Sequence, residues 1–160
     1  MRIAGIDPGQ RGGIVILENG QIIDRTLLVN VTPDSWLSRR FVKIVYIEEA
    51  QTMPKQGIVS AFTYGRDFGY LLGTLSGKFI VNMVAARTWT KRIHQQAPRS
   101  KCPKNRSLWV AKQVWPEETW LATERSRVPH DGLVDAALIA LYGHLAEKVS
   151  FISKIEPDHD

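Results

Sequence analysis

A single cysteine, Cys102, is all the chain carries, so no internal disulfide can form and a reducing compartment is expected. No apolar run reaches the roughly 18 residues a membrane-crossing helix needs, and no basic region at the N-terminus leads into a long apolar stretch. The expected setting is therefore the cytoplasm, with neither a membrane nor a secretory route. Histidine is scarce too: four residues, forming no cluster with the cysteine, so the softer donors that zinc prefers are missing. Length sets a further bound. With 160 residues there is room for one domain with a real core and not for two, so residues 1–150 are read as one folded unit and 151–160 as a tail.

Positive charge is present in excess. Twenty-one Lys and Arg against sixteen Asp and Glu give a net +5 and a pI near 9.5. At least four of the acids look committed to one cluster, which leaves the rest of the surface more basic than the total indicates. A basic chain with a local acidic pocket suits a polyanion held broadly by cations and attacked at one metal-loaded point.

The stretch Arg2-Ile3-Ala4-Gly5-Ile6-Asp7-Pro8-Gly9 reads as a strand that delivers one carboxylate to its end. Pro8 cannot donate to a sheet ladder and Gly9 frees the backbone to turn, so pairing stops and Asp7 stays at the rim. Residues 13–18 read as a second strand, Asn19-Gly20 as a hairpin turn and 21 to about 30 as the returning strand. Thr32-Pro33 then opens a short helix.

Val42-Lys43-Ile44-Val45-Tyr46-Ile47 is a short, β-branched apolar run, the mark of a strand covered on both faces. It ends at Glu48 as the first strand ends at Asp7. Glu48 is preferred to Glu49 because it directly closes the run. The loop that follows, with Lys55, lies over that edge. Residues 58–76 turn helical and carry Gly65, Gly69 and Gly73, with Gly77 behind, every fourth residue. Each costs roughly 1 kcal/mol relative to alanine, so a close packing seam is expected, against this chain's own sheet or against a second subunit. Residues 78–84 make the fifth strand and residue 87 starts another helix. An irregular basic segment over 94–106 follows, with Arg99, Lys101, Lys104 and Arg106 as phosphate contacts or as solvated charges. A helix is expected over 107–115, with Trp109, Trp115 and Trp120 as core or interface anchors.

The last helix opens at Pro129-His130-Asp131. Asp131 and Asp135 are four apart and share one helix face. Asp131 is either a ligand or an N-cap, whereas Asp135 sits in an apolar helix where an unpaired charge is expensive. Like charges about 4 Å apart repel by about 4 kcal/mol at an effective dielectric near 20, so three or four gathered carboxylates need cations. Oxygen-only donors select Mg²⁺ or Mn²⁺, and two such ions activate a water on one side of a phosphodiester and stabilise the leaving oxygen on the other.

Three segments carry a resemblance: Gly5-Ile6-Asp7-Pro8-Gly9; Val45-Tyr46-Ile47-Glu48 with Met53-Pro54-Lys55-Gln56-Gly57; and His130-Asp131-Gly132-Leu133-Val134-Asp135-Ala136-Ala137-Leu138. Over roughly residues 1–145 they resemble the RuvC-type Holliday junction resolvases, especially the phage-encoded branch. The resemblance implies an RNase H-like α/β fold with a five-stranded mixed sheet, three antiparallel strands and then parallel ones, flanked by helices. It implies a homodimer that nicks four-way DNA junctions in pairs with two Mg²⁺ ions per site, Mn²⁺ substituting, in a bacterial host cytoplasm and without a small-molecule substrate. Asp7, Glu48, Asp131 and Asp135 become metal ligands and catalytic residues. His130 either orients the water or contacts the scissile phosphate, or is a helix-start residue with no chemical part. Bacterial members usually place the two late carboxylates three apart; here the spacing is four and Gly132 lies between. Their aromatic after the catalytic Glu is replaced by Gln51, leaving Met53, or else Phe62 and Tyr64, to open the crossover. Two other readings keep the fold: a nuclease for hybrid or other branched nucleic acid, and a non-catalytic junction binder. The Asp-Pro-Gly turn is also similar to the phosphate loop of actin-like ATPases, which need a second lobe this length cannot supply.

Overall fold

The computed structural model describes residues 1–51, 57–95, 97–98 and 102–153, except the side chains of 149–153. Lys55, Arg99 and Lys101, three of the expected phosphate contacts, lie outside the described residues, as does Met53. Among the described residues no helix is long and apolar enough to cross a membrane.

Five strands form one mixed sheet: β1 (Arg2–Ile6), β2 (Gly13–Glu18), β3 (Gln21–Leu27), β4 (Ile44–Glu48) and β5 (Ile80–Val84), in the order β3-β2-β1-β4-β5. The first three are antiparallel, while β4 and β5 join parallel to β1, as the reading of the chain expects. The hairpin turn is made by Asn19 and Gly20, both with positive φ (54° and 85°). β3 ends at Leu27 rather than near residue 30, because Leu28–Asn30 tighten into a 3-10 turn.

Alternation along β1 and β2 divides the core in two. Ile3, Val15 and Leu17 face α5 (Asp131–Ser153), whereas Ala4, Ile6, Ile14 and Ile16 face α1 (Pro33–Ser38) and α2 (Ile58–Ser76) through Leu37, Leu71 and Leu75. Burial on both faces is what the continuous apolar runs require. α5 seats very close to β1. A Cβ on Gly5 would stand 2.1 Å from the Ala136 carbonyl oxygen, so a glycine in the strand and alanines in the helix let the two backbones touch. This contact fixes where the first turn of α5 arrives.

Three expectations are corrected. The glycines of α2 do not pack on the sheet: nothing lies within 4 Å of a Cβ placed at Gly65, Gly69, Gly73 or Gly77. The sheet-facing stripe is Phe68, Leu71 and Leu75, and the glycines sit about a third of a turn around the helix from it. The basic segment is not irregular throughout. α4 (Pro103–Val114) starts four residues earlier than expected because Pro103, behind an extended Cys102, is placed as a first helical residue, which puts Lys104 and Arg106 on a helix. Trp109 is no core anchor, being 39% exposed, while Trp115 and Trp120 are buried together with ring centroids 5.8 Å apart.

Candidate active site

Parallel pairing of β1 with β4 sets Ile6 opposite Ile47, so the next residue of each chain, Asp7 and Glu48, leaves the sheet at the same edge. The turn after β1 is tightly made. The Asp7 N–H donates to the Gly13 carbonyl at 3.1 Å, the Gly12 N–H to the Gly9 carbonyl at 2.7 Å, and the Gly9 N–H to Asp7 Oδ1 at 3.2 Å. The turn lies directly on the start of α5. A Cβ on Gly132 would fall 2.0 Å from the Arg11 carbonyl oxygen. Glycine between the two late aspartates therefore has a packing cause, and the close contact sets Asp7 beside His130, Asp131 and Asp135. Asp131 opens α5, where the His130 carbonyl accepts from the Leu133 and Val134 N–H groups. Its carboxylate is turned to Lys104, whose Nζ donates to Oδ2 at 2.5 Å.

The electrostatics tie these side chains together. Burial pushes the Asp7 carboxyl above its usual range; the Gly9 N–H and the neighbouring His130 and Lys104 oppose this, and Asp131 adds to it. Burial likewise raises Glu48, against the Trp89 hydrogen bond and with a push from Asp7. Asp135 is carried furthest, to about 7, by burial first, opposed by the Ser107 hydroxyl and reinforced by Asp7, Glu48 and Asp131. Each carboxylate thus feels the others, which is the convergence expected of residues far apart in sequence. His130 is buried, its Nδ1 has no partner among the described residues, and burial together with nearby Arg11 lowers its pKa. It is a neutral imidazole at the edge of the acidic group.

Of the expected basic residues that are described, Lys104 reaches the site and Arg106 does not bond to it. Arg106 Nε is buried without a partner among the described residues, and its charge acts on His94. Sequence reasoning missed four residues. Arg11, on the turn itself, is exposed and close enough to influence both His130 and Lys104. Trp89 donates its indole N–H to Glu48 Oε2 at 2.7 Å. Ser107 lines a small cavity with Asp131 and Asp135, and its hydroxyl holds the Asp135 pKa down. Glu49, passed over in favour of Glu48, shares with Glu48 and Tyr64 the wall of a hollow of about 820 Å³ beside the site. Only Arg11 carried a legible signal, a cation inside a glycine-rich turn.

The donor set fits a hard divalent cation in kind: carboxylate oxygens that repel one another at one rim, with the one cysteine, Cys102, lining a small cavity beside Asp131 and Asp135. As the side chains stand, no group of three or more His, Cys, Asp and Glu among the described residues encloses an ion. Lys104 engages Asp131 and Trp89 takes one oxygen of Glu48.

No protein-family model and no curated protein matches this sequence. Solved structures do. The chain is similar to Thermus thermophilus RuvC in complex with a Holliday junction substrate, with a TM-score of 0.63 and 18% identity over 93% of this chain and 96% of that one. It is also similar to a structure of Thermus thermophilus RuvC, with a TM-score of 0.59 and 19% identity over 94% of this chain and 97% of that one. The sheet order, the strand directions and the near-complete mutual coverage give this chain the RuvC-type, RNase H-like fold.

Proposed function

We propose that this protein is a Mg²⁺-dependent endonuclease that resolves four-way DNA junctions by paired nicking, acting as a homodimer of the phage-encoded RuvC type in the cytoplasm of a bacterial host. One observation carries the reading. Asp7, Glu48 and Asp135, delivered by β1, β4 and α5, are mutually coupled at one sheet edge of a basic chain whose fold is that of a protein solved on a Holliday junction.

Asp7, Glu48, Asp135 and Asp131 would hold the ions, two per site. When bound, Mg²⁺ lends Lewis acidity to the attacking water and to the leaving 3′ oxygen. Lys104 gives up Asp131 and, with Arg11, turns to the phosphates flanking the cut, as cations that position a backbone without reading its sequence. His130, kept neutral, is placed beside Asp7 to orient the water or hold the scissile phosphate. The hollow beside Glu48 receives the strand to be cut.

Digestion of a four-way junction, a flap and an RNA–DNA hybrid, each with and without Mg²⁺, tests the assignment. Symmetric nicks in the junction that depend on the metal are expected. Faster cutting of the hybrid would select the other nuclease reading, and tight junction binding without any cutting would select the non-catalytic binder.

For the homodimer, the support is the bare face of α2. Ile58, Phe62, Gly65, Gly69 and Gly73 form one stripe, with Ile58 88% and Phe62 73% exposed, and the glycines leave room for a second backbone. A Cβ placed at Gly69 meets nothing within 4 Å in the isolated chain, so a Gly69→Leu variant should keep its fold. Dimer dissociation in analytical ultracentrifugation should become at least about 10-fold easier, roughly the 1.4 kcal/mol that one obstructed contact represents. An unchanged dimer would move the interface elsewhere.

A further inference from the structure

Behind the carboxylates lies a group of polar side chains that holding ions and phosphates leaves unused. Trp89 is 2% exposed and donates its indole N–H to Glu48 Oε2 at 2.7 Å. Five residues on, His94 caps the same helix, α3 (Ala86–Ile93), and packs edge-on against the Trp89 ring, with centroids 5.9 Å apart at 76°. His94 Nε2 lies 3.2 Å from the Ser107 hydroxyl on α4, and Ser107, itself 5% exposed, lines one small cavity with Asp135 on α5, its hydroxyl near enough to hold that carboxyl's pKa down. The series Glu48, Trp89, His94, Ser107, Asp135 thus runs from one carboxylate of the site to another through three buried or half-buried side chains from two helices.

We infer that Trp89, His94 and Ser107 form one positioning bracket that aims Glu48 and Asp135 at the bound metal and ties the two carboxylates' orientations together. Three features argue for it. Trp89 occupies only Oε2 of Glu48 and leaves Oε1 untaken by it. The donors and acceptors are compatible throughout: an ionised Asp135 only accepts, the Ser107 hydroxyl beside it can donate, and the Ser107 oxygen is then free to accept from His94 in its Nε2–H form. Finally, a buried indole needs a partner in any core, and here that partner is a carboxylate of the acidic group. Hydrogen-bonded supports of this kind fix the orientation of a ligand and hold its lone pairs toward the ion.

The inference rests on the metal-dependent reading above, and the test separates the two. Mn²⁺ affinity is measured by calorimetry at one pH on the parental protein, Trp89→Phe, Ser107→Ala and the double variant, with four-way junction binding in EDTA as a second readout. Each single substitution should weaken Mn²⁺ binding about 10- to 100-fold and leave metal-free junction binding as it was. The double variant should lose clearly less than the product of the two, because His94 joins the two supports. If Trp89→Phe does not fold, His94→Gln takes its place in the same comparison. Single variants that bind Mn²⁺ as tightly as the parent would overturn the bracket and leave the nuclease reading standing. A parental protein that binds no Mn²⁺ would remove both.

Discussion

Asp7→Asn should abolish junction nicking in Mg²⁺ while leaving junction binding intact. The substitution keeps the side chain's size, and the amide oxygen can still accept the Gly9 N–H that Oδ1 accepts at 3.2 Å, so the turn over residues 8–12 survives. What is lost is one anionic oxygen donor at the centre of the acidic group. Charge stabilisation by a bound metal contributes several kcal/mol to a transition state, and each 1.36 kcal/mol is tenfold in rate, so a drop of at least about 10³-fold in single-turnover nicking is expected. Binding should be equal or slightly tighter, because a negative charge facing the phosphates has gone. Stability in EDTA should not fall, since Asp7 is a source of repulsion for both Glu48 and Asp135. Nicking at the parental rate would end the assignment of Asp7, and with it the idea that the sheet edge is the catalytic centre.

That Asp7 and Glu48 could be picked out from the sequence has a simple cause. Each directly follows a short apolar run, and a strand buried on both faces has to end where its apolar residues end. Parallel pairing then puts both ends on one edge. Asp135 was legible for the opposite reason, as a charge in a helix that is otherwise apolar. Ser107 and Trp89 were not legible, because their importance comes from partners 28 and 41 positions away, and no local pattern marks them. The α2 glycines show where pattern alone misleads. A four-residue period establishes that they share a face and says nothing about which way the face points; the choice was made by Phe68, Leu71 and Leu75, which bury more apolar surface toward the sheet. Gly132 looked like a departure from a known pattern until the Arg11 carbonyl was found where its Cβ would be.

The second large effect concerns pH in the absence of metal. Burial carries the folded-state pKa of Asp135 to about 7 from the ordinary 3.8, so between those values the folded protein holds a proton that the unfolded chain has released. The sign follows. Stability from this group is complete below about pH 4, falls as pH rises toward 7, and stays low above it. At 1.36 kcal/mol per pH unit the ceiling is on the order of 4 kcal/mol, or roughly 5 to 15 °C in Tm for a chain of this size. Asp7 and Glu48, also raised by burial, act in the same direction. His130 and His144, both lowered by burial, act in the opposite one below about pH 6.5, so the informative quantity is the difference between the parent and Asp135→Asn. In EDTA the variant should be markedly the more stable at pH 8 and close to the parent at pH 4.5. Adding Mg²⁺ at pH 8 should raise the parent's Tm, because an ion that binds only the folded state stabilises it, and should raise the variant's far less. Equal pH slopes for the two proteins in EDTA would mean that Asp135 is not a buried charge held against its neighbours, and the electrostatic reason for a cation at this edge would then rest on Asp7 and Glu48 alone.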